Sequence, residues 1–83
     1  MNLIEIDEKT TINLDALTRV KLYKRKTGNY TVTLEFPGFW IDIFTGEDKE
    51  EARKKYTLAV SIFERKTDLL SYFKLPFKVG SKW

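Results

Sequence analysis

Residues 29–44 read NYTVTLEFPGFWIDIF, and the period of this stretch decides the fold. Tyr30, Val32, Leu34 and Phe36 alternate with Thr31, Thr33 and Glu35, the period of two that sends successive side chains to opposite faces of a strand. Pro37-Gly38 breaks the run and Phe39 to Phe44 resumes it, which predicts two strands, Asn29 to Phe36 and Phe39 to Phe44, around a two-residue turn. A residue facing the core must lie opposite another that also faces it. That condition pairs Phe36 with Phe39 and Leu34 with Ile41.

Working outward, Thr18 to Arg25 supplies a preceding strand whose inner face carries Val20 and Leu22. Matching faces sets Leu22 opposite Val32 and Val20 opposite Leu34, which leaves Lys26-Thr27-Gly28 as a three-residue loop ending in a glycine that can turn left-handed. The same arithmetic gives three rows on the outer face: Arg19 with Glu35 and Trp40, Lys21 with Thr33 and Asp42, Tyr23 with Thr31 and Phe44. Two of these rows can form opposite-charge contacts, and Trp40, Tyr23 and Phe44 are larger than a plain solvated face needs. Further upstream, Ile4 and Ile6 alternate with Glu5 and Asp7, a polar Asp7-Glu8-Lys9 turn follows, Thr11 to Leu14 reads as a short strand, and Asp15-Ala16-Leu17 as a corner.

Downstream the apolar period lengthens to about 3.6, the helical value. Thr45 with Asp48 three residues on predicts the helix start, acids fill the first turn, and Glu50–Lys54 and Glu51–Lys55 are well-oriented pairs, so Glu47 to about Lys66 reads as helix. Ala52, Tyr56, Ala59, Val60 and Phe63 form its expected core stripe. Leu58, Ile62, Leu69 and Tyr72 form a second stripe if the helix runs past Thr67, where a kink and a new short helix through Phe73 are both open. Lys74 to Trp83 contains Pro76 and Gly80 and reads as an extended arm. Its Leu75, Phe77 and Trp83 cover either this chain's second stripe or a neighbour's. The expected fold class is therefore α+β in one domain: an antiparallel β-meander of four to five strands over residues 1–44, a helical segment over 45–73 packed on one face, and the arm over 74–83.

The 83 residues carry a net charge of +3, distributed in alternating blocks. Arg19, Lys21, Lys24, Arg25 and Lys26 make residues 16–34 purely basic, whereas residues 35–51 hold six acids against Lys49, so the blocks can neutralise each other on folding. Histidine and cysteine are both absent. Their absence removes the usual general base near neutral pH, the commonest metal ligands and the thiolate nucleophile, and directs the expectation away from an enzyme and from any cofactor. The glycines at 28, 38, 46 and 80 stand alone and form no phosphate loop. Glu47-Asp48-Lys49-Glu50-Glu51 reads as a solvated helix N-terminus rather than a cation site, and nothing in the spacing brings Asp7 to Asp42. The lack of cysteine, the acids among residues 1–7 and the want of a long apolar run fit a soluble protein of a reducing compartment, the cytoplasm, with no membrane partner.

Ile12-Asn13-Leu14, followed by strands, a glycine-containing turn and a final helix, resembles two groups of proteins. One is the small phage and bacterial proteins built as a β-meander plus a helix. The other is the positive cofactor four family, single-stranded-DNA-binding dimers whose first strand can open with the same triplet. The first resemblance implies a fold and no function; the size and style of the chain instead suggest a small accessory or inhibitor protein of a phage or mobile element, acting through protein contacts or self-assembly. The second implies a single-stranded nucleic-acid binder but lends no residue roles; read from the residues themselves, the exposed sheet face offers Arg19, Lys21, Tyr23, Trp40 and Phe44 to bases and phosphates, while acids in the same rows depart from the family's pattern. Self-association, most simply as a dimer, is expected through Leu58, Ile62, Leu69 and Tyr72.

Overall fold

The structure, a computed structural model, describes residues 3–7, 10–65 and 78–81. Three consecutive strands, β3 (Arg19–Lys24), β4 (Tyr30–Phe36) and β5 (Phe39–Gly46), form an antiparallel meander, and the helix α1 (Lys49–Arg65) packs on its inner face. Val20 lies opposite Leu34 and Leu22 opposite Val32, as side-chain period demands. Around the second turn Leu34 meets Ile41 and Phe36 meets Phe39, the two rings stacked at 4.7 Å between centroids. In the first hairpin the Arg25 and Gly28 amides donate to the carbonyls of Asn29 and Arg25, and Gly28 has φ of +95°, a region costly for any residue with a Cβ. The α+β class and the helix-on-sheet architecture are therefore those the periodicity implies.

The strands at the two chain ends depart from expectation. β1 (Leu3–Asp7) and β2 (Thr10–Asn13) pair only with each other among the described residues, as a separate two-stranded ribbon. The fourth strand of the main sheet is instead β6 (Lys78–Ser81), which lies antiparallel beside β5 with Val79 opposite Ile41 and Gly80 opposite Trp40. Residues 78–81 of the expected arm thus lie on this chain's own sheet. The chain leaves β2 at Leu14 for a short 3-10 turn, Leu14–Ala16, capped by Asn13, whose Oδ1 accepts from the Asp15 N–H at 3.0 Å. That turn drives Leu14 and Leu17 into the core beside Ile12.

β5 holds a bulge. Thr33 faces Asp42 but Val32 faces Phe44, so Ile43 is an extra residue. A regular strand would send Ile43 and Phe44 to opposite faces; the bulge lets both pack on the core, at a gain of roughly 1.5–3 kcal/mol for each large apolar side chain fully buried. It also corrects the third outer row, which is Tyr23–Thr31–Thr45, with Phe44 removed to the inner face. Because β5 then continues through Thr45 to Gly46, Thr45 cannot cap the helix. Asp48 does so, its Oδ1 accepting from the Glu50 N–H at 2.9 Å, and α1 begins at Lys49 rather than Glu47.

The helix buries one broad face rather than two stripes. Ala52, Ala59 and Ile62 are wholly buried, Tyr56 and Leu58 pack at its margins, and Phe63 is 36% exposed. The expectation had Ile62 on a free stripe and Phe63 in the core; their places are exchanged. Two alanines at the centre let the backbone approach the sheet, so that residues on either side of them share the contact. Leu69, Tyr72, Leu75, Phe77 and Trp83, and the question of a kink at Thr67, lie outside the described residues.

Candidate binding face of the sheet

The outer face is built by alternation along β3 and completed across β4 and β5. Arg19, Lys21 and Tyr23 project to this side from β3, Arg25 prolongs their row past the strand end, and Thr31, Thr33 and Glu35 answer from β4. Glu35 sits at the first cluster. The Arg19 guanidinium donates from Nε to Oε1 at 3.0 Å and from Nη2 to Oε2 at 3.1 Å, and Lys21 Nζ approaches Oε2 at 3.3 Å. Burial would push the Glu35 carboxyl up, but the hydrogen bonds and charges of Arg19 and Lys21 outweigh it and hold the group below the usual glutamate range.

A second cluster centres on Asp42, whose side chain is only 3% exposed. Its Oδ2 accepts from Arg25 Nη2 at 2.8 Å and its Oδ1 from the Thr33 hydroxyl at 2.7 Å, while Arg25 Nε donates to the Thr31 hydroxyl oxygen at 2.9 Å. Thr31 and Thr33 are themselves buried. Among the described residues no buried side-chain polar atom lacks a partner, so this is a satisfied network rather than a strained one. The expected row partner of Asp42, Lys21, goes to Glu35 instead. Arg25 was the missed residue, although its place two positions beyond Tyr23 in the same alternation signals it.

The aromatics occupy distinct settings. Tyr23 is 36% exposed and flanked along its own row by Lys21 Nζ at 5.5 Å and the Arg25 guanidinium carbon at 5.8 Å from its ring centroid. Trp40 is half-buried, because its indole lies over Gly80 of β6 so closely that a Cβ on Gly80 would collide with the ring. Phe44, on the other face, folds over Gly46 in the same manner. The structure therefore brings Arg19, Lys21, Tyr23 and Trp40 onto one surface and excludes Phe44. Of the expected self-association residues it places Ile62 in the core and Leu58 against it.

Asp48 spends its carboxylate on the Glu50 and Glu51 amides, and no group of three or more possible metal ligands occurs among the described residues. No helix there is long and apolar enough to cross a membrane. Fold and face together define a small sheet-and-helix domain with one apolar side and one cross-linked polar side. No protein-family model, curated protein or solved structure matches this chain.

Proposed function

We propose that this protein is a non-enzymatic binding module that works through protein contacts, self-assembly included, with an outer sheet face whose two carboxylates are each held by neighbouring cations. The observation that supports it is the engagement of Arg19, Lys21 and Arg25 by Glu35 and Asp42. A nucleic-acid phosphate arriving at this face meets two fixed carboxylates, and the counterion release that drives such binding is reduced for cations already paired within the fold. Polar networks flanked by a half-exposed tyrosine and a tryptophan suit a protein surface better, since aromatic and arginine side chains are enriched at such contacts.

The rival reading, single-strand binding, has its own support in Tyr23, a partly exposed ring with two cations near it, the pairing of aromatic and positive charge that single-strand binders use. Titration of the protein with labelled single-stranded oligonucleotides at low and moderate salt separates the two. The expected result is no saturable binding in either condition. Tight binding that weakens steeply with salt, and that drops by about 1–3 kcal/mol in Tyr23→Ala, would overturn the protein-contact reading.

A further inference from the structure

The four-stranded sheet ends in two edges of opposite character. β3 carries Arg19, Lys21 and Lys24 within six residues, the density of charge that keeps an edge from pairing with other strands. β6 carries one charged residue in its four, Lys78. Its Val79 is 47% exposed, although its neighbour across the ladder, Ile41, is wholly buried on the same face. Among the described residues no strand is hydrogen-bonded beyond β6, so one side of its backbone is directed away from the sheet. On the outer surface Gly80 contributes no side chain, and the Trp40 indole lies over it.

We propose that β6 pairs antiparallel with β6 of a second copy of this chain, across a two-fold axis at Val79, so that the two sheets become one. This pairing rests on the protein-contact reading above. Register follows from the face rule: opposite residues must share a face, which excludes a slip of one. Val79 opposite the partner's Val79 brings two exposed apolar groups together on the inner side. The same register sets Lys78 opposite the partner's Gly80, over which the partner's Trp40 indole lies, so the ammonium meets the ring on the outer surface. A slip of two in one direction sets Lys78 against itself, and in the other it separates the valines. One strand thus presents both halves of its own complement, which is what an isologous contact requires.

Size exclusion with light scattering on the full chain at tens of micromolar, with cysteine variants in a chain that has none of its own, tests this. The parent should show the mass of two chains, and Val79→Lys, which adds like charges at the axis, the mass of one with an unchanged far-UV spectrum. Val79→Cys should form a covalent dimer on mild oxidation, because the paired Cβ atoms lie within disulfide reach, whereas Lys24→Cys on the β3 edge should not. A single-chain mass for the parent, or cross-linking of Val79→Cys no faster than of Lys24→Cys, would overturn the pairing. If Val79→Lys fails to fold, the cysteine pair decides alone. A monomer that ignores oligonucleotides sinks this inference and leaves the protein-contact reading standing; salt-steep oligonucleotide binding sinks that reading whatever the mass.

Discussion

On the inner face of the sheet Ile62 is wholly buried among other hydrocarbon groups; on the outer face of the same strands Asp42 is 6% exposed and surrounded by hydrogen-bond donors. Burial is nearly equal, and the physics differs. The inner contact is non-directional and scales with the apolar area removed from water, so it tolerates a helix that rotates until Ala52 and Ala59 sit at the centre. The outer contact depends on geometry. Removing one partner leaves the others with unmet polar groups, and the cost lies in that remainder more than in the bond itself. The two faces should therefore respond differently to substitution at matched burial.

The largest effect is expected at Ile62. Ile62→Ala should cost about 2–5 kcal/mol by urea unfolding and Ile62→Lys more, while Phe63→Ala, one position on, should cost under about 1 kcal/mol. Equal losses at 62 and 63 would restore the two-stripe description of α1. Next is Asp42→Ala, expected at about 2 kcal/mol, since Thr33 is left buried without its acceptor while Arg25, one-third exposed, regains water. Asp42→Asn, which keeps an acceptor for Thr33, should cost less. If Asp42→Ala instead unfolds like the parent, the network is ornamental and the two faces are alike after all.

Gly80→Ala should cost roughly 1–2 kcal/mol by displacing the Trp40 indole, an overpacking effect visible as a shift in tryptophan fluorescence. The smallest effect belongs to Glu35, whose cationic partners remain well exposed: Glu35→Gln should cost under about 1 kcal/mol near neutral pH. Its carboxyl is held below the usual glutamate value when folded, so its contribution is fully present above the unfolded pKa and is lost as pH falls through the folded one. Thermal melts taken toward acid should show the parent losing more stability than Glu35→Gln. Parallel acid limbs would mean that Arg19 and Lys21 do not hold this charge in solution.

Local pattern is enough to specify the meander and its first two outer rows. Alternation in β3, β4 and β5 is strong, the turns at Lys26-Thr27-Gly28 and Pro37-Gly38 are short, and a register slip of one would invert every face, so neighbouring residues suffice to fix the pairing. The helix was legible for the same reason, from its acids and its 3.6-residue period, though not its orientation, for Ile62 and Phe63 are equally apolar neighbours. Tertiary structure alone decided the rest. The bulge at Ile43 moved Phe44 across the sheet, because burying both side chains outweighed regular pairing. Arg25 chose Asp42 while Lys21 turned to Glu35, a choice set by where charged tips meet across three strands. β6 was placed beside β5 by contacts between residues about forty positions apart in the chain, and periodicity, which is local, carries no information about which distant strand fills an open edge.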